Sequence, residues 1–191
     1  LAIKIFIDQG HNPPGAVNAG AEANGVNEGE VNYNVGIYLA QMLNDDYRFE
    51  ARTSRTSPDQ VLGTSNATSL AERVRMANEW PANYFISIHC NSNPNPAING
   101  TEVYVFELYS QSYVFGEFVL NGIVDYVGMN NNGLRINSSL FVLRRTNMPS
   151  ILVELGYLTN YEDAQKLRDR QYDFAYGIYR GILNYFGFEP L

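Results

Sequence analysis

The chain has 191 residues, 45% of them hydrophobic and 17% charged, enough for one domain with a sizeable core and too apolar for a disordered segment. A formal net charge of −7 excludes the basic face of a dedicated nucleic-acid binder. The longest apolar runs, such as Tyr84 to Ile88, are too short to span a bilayer.

Ala2 to Ile7 predicts a buried strand that ends at Asp8-Gln9-Gly10, followed by a Gly-, Asn- and Pro-rich loop from His11 to about Gly29. Val31, Val35, Leu39, Met42 and Leu43 recur at helical spacing and predict a helix from about Glu30 to Asn44. Phe49 to Thr53 reads as a short strand. Ser69 with Glu72 forms an S-x-x-E capping box that predicts a helix through about Glu79. Tyr84 to His89 reads as a central strand, and Asn91 to Asn99, with two prolines, as a loop. Glu102 to Phe106 predicts a strand and Tyr113 to Tyr126 a helix. Leu140 to Arg144 and Ile151 to Glu154 read as short strands around a Pro149 turn. Two helices close the chain, Glu162 to Arg168 and Tyr172 to Tyr185.

Strands alternating with helices predict an α/β fold, a single layered domain whose mixed, mostly parallel central sheet is flanked by helices. The domain is expected over residues 1–187, with 188–191 as the start of a linker or tail. Leu1 to Ile7 carries no basic n-region or cleavage site, so the chain reads as a mature protein or an excised domain. Cys90 is the only cysteine, which excludes an internal disulfide, a cysteine-rich zinc finger and an iron–sulfur cluster.

The only two histidines, His11 and His89, both follow the carboxyl end of a predicted buried strand, the edge where open α/β sheets carry their functional crevice. Taken singly, a histidine is more often just a hydrogen-bonded residue. Two at equivalent strand ends point to a shared site, able to bind Zn²⁺ with a carboxylate as third ligand and one position open for water. The loop after His11 offers Glu22, Glu28 and Glu30 as that third ligand, and spacing alone does not choose among them.

Glu154 is the anomaly of the C-terminal half, an acid between Ile151-Leu152-Val153 and Leu155-Gly156-Tyr157. It reads either as the partner of Arg144 or Arg145, or as a general base tuned by burial and neighbouring charge. Asp8 either orients a ligand from behind or caps its turn, and Tyr104, Tyr109 and Tyr113 either line a groove or pack into the core.

Four ordered motifs resemble the zinc-dependent N-acetylmuramoyl-L-alanine amidases, the catalytic domains of bacterial autolysins and phage endolysins. They are Ile7-Asp8-Gln9-Gly10-His11, Asn27-Glu28-Gly29-Glu30-Val31-Asn32, Ser87-Ile88-His89-Cys90-Asn91, and Leu152-Val153-Glu154-Leu155-Gly156-Tyr157-Leu158-Thr159-Asn160. The resemblance implies that His11, Glu28 and His89 bind zinc. Glu28 is selected because it stands four residues before Asn32. It further implies that Glu154 is the catalytic acid/base and that Cys90 merely packs. Gln9 departs from the pattern, which carries proline there, and Asn12-Pro13-Pro14 replaces a glycine-rich turn.

The implied activity is hydrolysis of the amide between N-acetylmuramic acid and L-alanine in peptidoglycan. The implied setting is extracellular or in the cell wall, with flanking wall-binding domains possible. Weighed against it are a zinc peptidase cutting the stem peptide, a wall-binding module without catalysis, and a glycosidase using Glu102 with Glu154.

Overall fold

The computed structural model describes residues 1–191. Its sheet is built from β1 (Ile3–Gln9), β4 (Phe49–Thr53), β5 (Tyr84–Asn91), β6 (Thr101–Val105), β7 (Asn131–Ile136) and β8 (Ser150–Tyr157). β2 (Glu22–Ala23) and β3 (Val26–Asn27) form a separate small hairpin. The strand order is β4-β1-β5-β8-β6-β7, in which β4, β1, β5 and β8 run parallel, β6 is antiparallel to β8, and β7 is parallel to β6. The expected mixed, mostly parallel α/β sheet is what forms.

Two helical layers cover the sheet unequally. One face carries α1 (Glu28–Asp45), α3 (Gln111–Ile123), α5 (Tyr161–Asp169) and α6 (Gln171–Phe186) over a 33-residue core that takes Ile5, Ile86, Ile88, Ile151 and Val153 from the strands. The opposite face carries α2 (Asn66–Glu79) and α4 (Phe141–Arg145) over a core of nine residues, among them Phe6, Phe85 and Leu152. Because side chains alternate along a strand, the central strands need apolar residues on both faces, which explains their continuous hydrophobic runs.

The register across the second face then decides where chemistry can sit. Phe6 pairs with Phe85 at the bottom, Asp8 with Ser87 and Ser87 with Leu152 in the next row, and His89 with Glu154 and Glu154 with Glu102 in the top row. The face turns from apolar to ionisable as it approaches the carboxyl edge of β5.

Several local expectations give way to the packed chain. The α2 cap is Ser65, whose side chain accepts from Thr68 N while Thr68 Oγ1 accepts from Ser65 N, so Ser69 lies inside the helix and is buried. Leu140 to Arg144 is not a strand: α4 forms there, closing Val142 and Leu143 over the smaller core. β7 was not expected, because Asn131-Asn132-Gly133 reads as a turn, yet it finds a free edge on β6. The helix read to Tyr126 ends as α3 at Ile123 and continues as one wider turn over Val124–Gly128. At the other end of the chain, Phe188 stacks on Phe186 at 5.8 Å between ring centroids and lies 6.0 Å from Phe49.

α3 and α6 approach unusually closely because glycines face each other. A Cβ on Gly122 would overlap the Gly177 carbonyl oxygen and lie 2.8 Å from Gly181 N. Gly122→Ala is therefore expected to destabilise the fold by about 1–3 kcal/mol, the range for overpacking, seen as a lower denaturant midpoint with an unchanged m value.

Candidate metal centre

The first histidine is placed by an extended ladder and then a reversal. Gly10 N donates to Ile88 O at 3.0 Å, carrying the β1–β5 pairing one residue past β1, after which His11 adopts a left-handed φ of 69°. Gly10 has to be glycine for a separate reason, since a Cβ there would overlap the His89 ring. On the far side of the loop, a Cβ on Gly20 would come 2.8 Å from His11 Cγ and 2.9 Å from Glu28 Oε2.

Glu28 enters as the first residue of α1, whose start is set by Asn27 accepting from Glu30 N at 3.2 Å. Its Oε1 lies 3.1 Å from His11 Nε2 and 3.1 Å from His89 Nδ1, and accepts from Cys90 N at 3.2 Å. Its Oε2 accepts from Ala21 N at 3.0 Å, so both oxygens are aimed. The other two acids of the loop, Glu22 and Glu30, are exposed. Asn32, one turn into α1, donates to Gly10 O at 2.9 Å and so ties the helix to the first turn.

The ligand atoms of His11, Glu28 and His89 all lie within 4.8 Å of one another. Donors at ordinary zinc bond lengths and tetrahedral angles stand about 3.3 Å apart, close to the two 3.1 Å separations. Two imidazoles and one carboxylate are also the donor set of zinc sites that leave a fourth position open. The residues fit the ion that the sequence resemblance implies.

Protonation follows the same geometry. Burial alone would raise the Glu28 carboxyl, but hydrogen bonds and charge from His11 and His89 pull it far below the usual carboxylate range. Burial favours a neutral His11, yet the Glu28 hydrogen bond and charge, with Asn18 behind, raise its pKa above the ordinary histidine value. The Nδ1 of His11 faces Asn18 Oδ1 at 3.0 Å and Asn18 O at 3.2 Å, both acceptors. His11 Nδ1 accordingly keeps its proton toward Asn18, and Nε2 is the nitrogen that faces Glu28.

Glu154 stands beside this cluster as the register partner of His89. Its side chain is half-buried, and its Oε2 is sealed from solvent with no hydrogen-bond partner. Arg144 and Arg145 are exposed and form no ion pair with it, which corrects the salt-bridge reading. Burial, then the charges of Glu28 and Glu102, push the Glu154 pKa well above the carboxylate range.

Glu102, its other register partner, is a different kind of acid. Oε1 accepts from Asn91 Nδ2 at 2.6 Å, Tyr104 Oη at 3.2 Å and Tyr157 Oη at 3.4 Å, while Oε2 faces Arg135 Nε at 3.4 Å. Tyr104 is thereby engaged, its phenol pushed up to about 12 by burial and the Glu102 charge. Tyr109 is fully exposed and Tyr113 packs partly against the larger core, so the three tyrosines do not share a groove.

Asp8 touches neither histidine ring. It pairs with Arg73 at 2.7 Å and accepts from Ser87 Oγ at 2.7 Å, and it is not a turn cap. Arg55 and Arg73, both buried, donate to the His11 carbonyl and went unread in the sequence. For Arg73 the signal is a charge on an apolar stripe, since the buried positions of α2 are Ser69, Arg73, Val74 and Ala77. Gln9 is buried too. Its N donates to Ser54 Oγ at 2.9 Å, a bond proline lacks, and its amide joins Arg55 N to Tyr33 O.

A sequence profile described as N-acetylmuramoyl-L-alanine amidase matches residues 5–184. The chain belongs to this amidase family. It is 33% identical over 184 residues to the N-acetylmuramoyl-L-alanine amidase CwlM of Bacillus licheniformis, covering 95% of this chain and 66% of that protein. It is 34% identical over 188 residues to the amidase LytC of Bacillus subtilis, covering 95% of this chain and 35% of that protein. The amidase domain therefore spans about two thirds of the first relative's length and about a third of the second's. Among solved structures, it superposes on an N-acetylmuramoyl-L-alanine amidase from Clostridium difficile with a TM-score of 0.85 and 30% identity, covering 97% of each chain. The catalytic domain of CwlV from Paenibacillus polymyxa gives the same TM-score and identity over 98% of this chain and 99% of that one. No helix of the chain is long and apolar enough to cross a membrane.

The raised pKa of Glu154 has a measurable cost. An acid that holds its proton more tightly when folded weakens the fold as pH climbs above about 4.5, and the penalty grows until the raised pKa is passed. The metal-free Glu154→Gln variant is expected to melt above the parent at pH 7 and to coincide with it below pH 4, as followed by circular dichroism.

Proposed function

We propose that this domain hydrolyses the amide between the lactyl carboxyl of N-acetylmuramic acid and the amine of L-alanine in peptidoglycan, using zinc held by His11, Glu28 and His89. The observation that carries the reading is the unpartnered, buried Oε2 of Glu154 beside those three side chains. Burying an acid without a partner costs stability, and acids so perturbed cluster at functional sites. Family membership supplies the bond to be cut, and the relatives' names supply the substrate.

Bound at this site, zinc supplies a Lewis acid that polarises an amide carbonyl and makes water more acidic. The chain's own residues do the rest. His11 Nε2 and His89 Nδ1 would hold the ion, and Glu28 would add the charge that neutralises half of it. Glu154 accepts a proton from the attacking water and returns it to the departing nitrogen, so that L-alanine leaves as a neutral amine. Its pKa, lifted by burial and by two neighbouring acids, favours the half of that transfer in which it gives the proton to the nitrogen. Water addition is balanced: one carboxylic acid and one neutral amine form from one amide and one water.

Glu102 takes no part in this scheme. With three donors on Oε1 and the Arg135 charge facing Oε2, it is held as a hydrogen-bonded carboxylate, so a glycosidase pairing is disfavoured. An extracellular or cell-wall setting, with peptidoglycan as partner and wall-binding domains flanking this one, belongs to the same proposal.

Purified chain incubated with peptidoglycan is expected to release peptides with a free L-alanine amine and glycans with a free lactyl carboxyl, both read by mass spectrometry. Cleavage inside the stem peptide would identify a peptidase instead. A chelator should abolish turnover and added zinc restore it. Glu154→Gln should keep zinc while losing about 10²–10⁴-fold in rate, the range for a general acid/base, and His89→Ala should lose zinc by elemental analysis. Unchanged turnover in Glu154→Gln would remove it from the mechanism.

A further inference from the structure

Arg73 is about 1% exposed, and no step of the proposed reaction uses its charge. Every nitrogen of its guanidinium is nonetheless committed. Nη1 donates to Asp8 Oδ1 at 2.7 Å, to the Gln9 carbonyl, and to Ser54 Oγ at 3.4 Å. Nη2 donates to the His11 carbonyl at 2.7 Å and to Asn12 Oδ1 at 3.3 Å. Nε donates to Ser69 Oγ at 3.4 Å, one turn earlier on α2. Ser69 Oγ also accepts from Asn18 Nδ2 at 3.2 Å, which turns Asn18 Oδ1 toward His11 Nδ1.

These bonds form a closed circuit around one residue. From Arg73, two bonds reach the backbone on either side of Gly10, and a relay through Ser69 and Asn18 reaches the back of the His11 ring. We propose that Arg73 is a positioning residue for His11, fixing the turn through the Gln9 and His11 carbonyls and the ring through Ser69 and Asn18. The inference rests on His11 being a metal ligand, as proposed above.

The physical need is visible in the turn. His11 holds a left-handed φ of 69°, which a residue with a Cβ adopts only when its surroundings impose it. The bond to its carbonyl imposes it here. The relay then orients the ring: the two acceptors of Asn18 hold Nδ1 and aim Nε2 at Glu28. Lysine cannot replace Arg73, because only a planar fork presents three nitrogens in fixed directions. Asp8, itself held by Ser87, balances the buried charge, which explains why an acid sits there without touching a histidine.

The test measures zinc affinity of the whole chain by competition with a chromophoric chelator, alongside ¹H–¹⁵N imidazole spectra of the zinc-loaded protein, which report exchange of the His11 Nδ1 proton. Ser69→Ala and Asn18→Ala are each expected to weaken zinc binding about 10–100-fold, the usual range for groups behind a ligand. The double variant should lose no more than the worse single, since both cut one relay. Both singles should show faster exchange of the His11 Nδ1 proton with water than the parent. Arg73→Lys should weaken binding to at least the same degree; should it not fold, the Ser69 and Asn18 variants carry the test, because they leave the Arg73–Asp8 pair in place. Affinities within twofold of the parent, or single losses that multiply in the double variant, would overturn the positioning role alone, with His11→Ala still abolishing binding. If His11→Ala bound zinc like the parent, the metal-centre reading would fall first and this inference with it.

Discussion

Everything at the site depends on how far up the sheet the smaller helical layer reaches. α2 and α4 seal Phe6, Phe85 and Leu152, but the row above them is His89, Glu154 and Glu102. Had that layer been longer, the upper row would have had to be apolar. Ending it early leaves polar residues on a face whose other side is fully packed, so they gain rigid backbones without a covering core. The loop from His11 to Asn27 and the start of α1 then close over the edge and bring Glu28 against both imidazoles.

Three carboxylates lie within this small region, and their surroundings separate them. Glu28 is drawn down by two imidazoles, which suits a permanent ligand charge. Glu102 has Oε1 saturated by donors and fixes Asn91, Tyr104 and Tyr157 around itself. Glu154 is left with a bare oxygen and a raised pKa, which suits proton exchange. Residue type is the same in all three; what differs is which lone pairs are already taken.

Much of this was legible before any coordinates. Strands written as unbroken apolar runs announced a sheet covered on both faces, and a histidine after each of two such runs marked the functional edge. Glu154 stood out as an acid inside an apolar run. Glu28 did not stand out from Glu22 and Glu30 by local pattern, because what distinguishes it is the angle at which α1 enters, a tertiary property. β7 was hidden because an Asn-Asn-Gly stretch reads as a turn until a strand edge is available beside it. α4 was misread because one helical turn is too short to establish a period, and its Leu-Phe-Val-Leu run also suits a strand. The α2 cap was misplaced by four residues, since Ser65 and Ser69 both head plausible first turns and only the backbone tells which is extended.

The single sulfhydryl has a consequence for the lifetime of the molecule. Cys90 is buried beneath Glu28, its Sγ 3.5 Å from Asn32 Oδ1, and burial followed by the charges of Glu28 and Glu154 drives its pKa well up. Oxidants and thiol reagents react with the ionised form at an accessible position, and here neither condition is met. A molecule so built can spend long periods in aerated medium without cross-linking to a second copy or accumulating sulfenic acid.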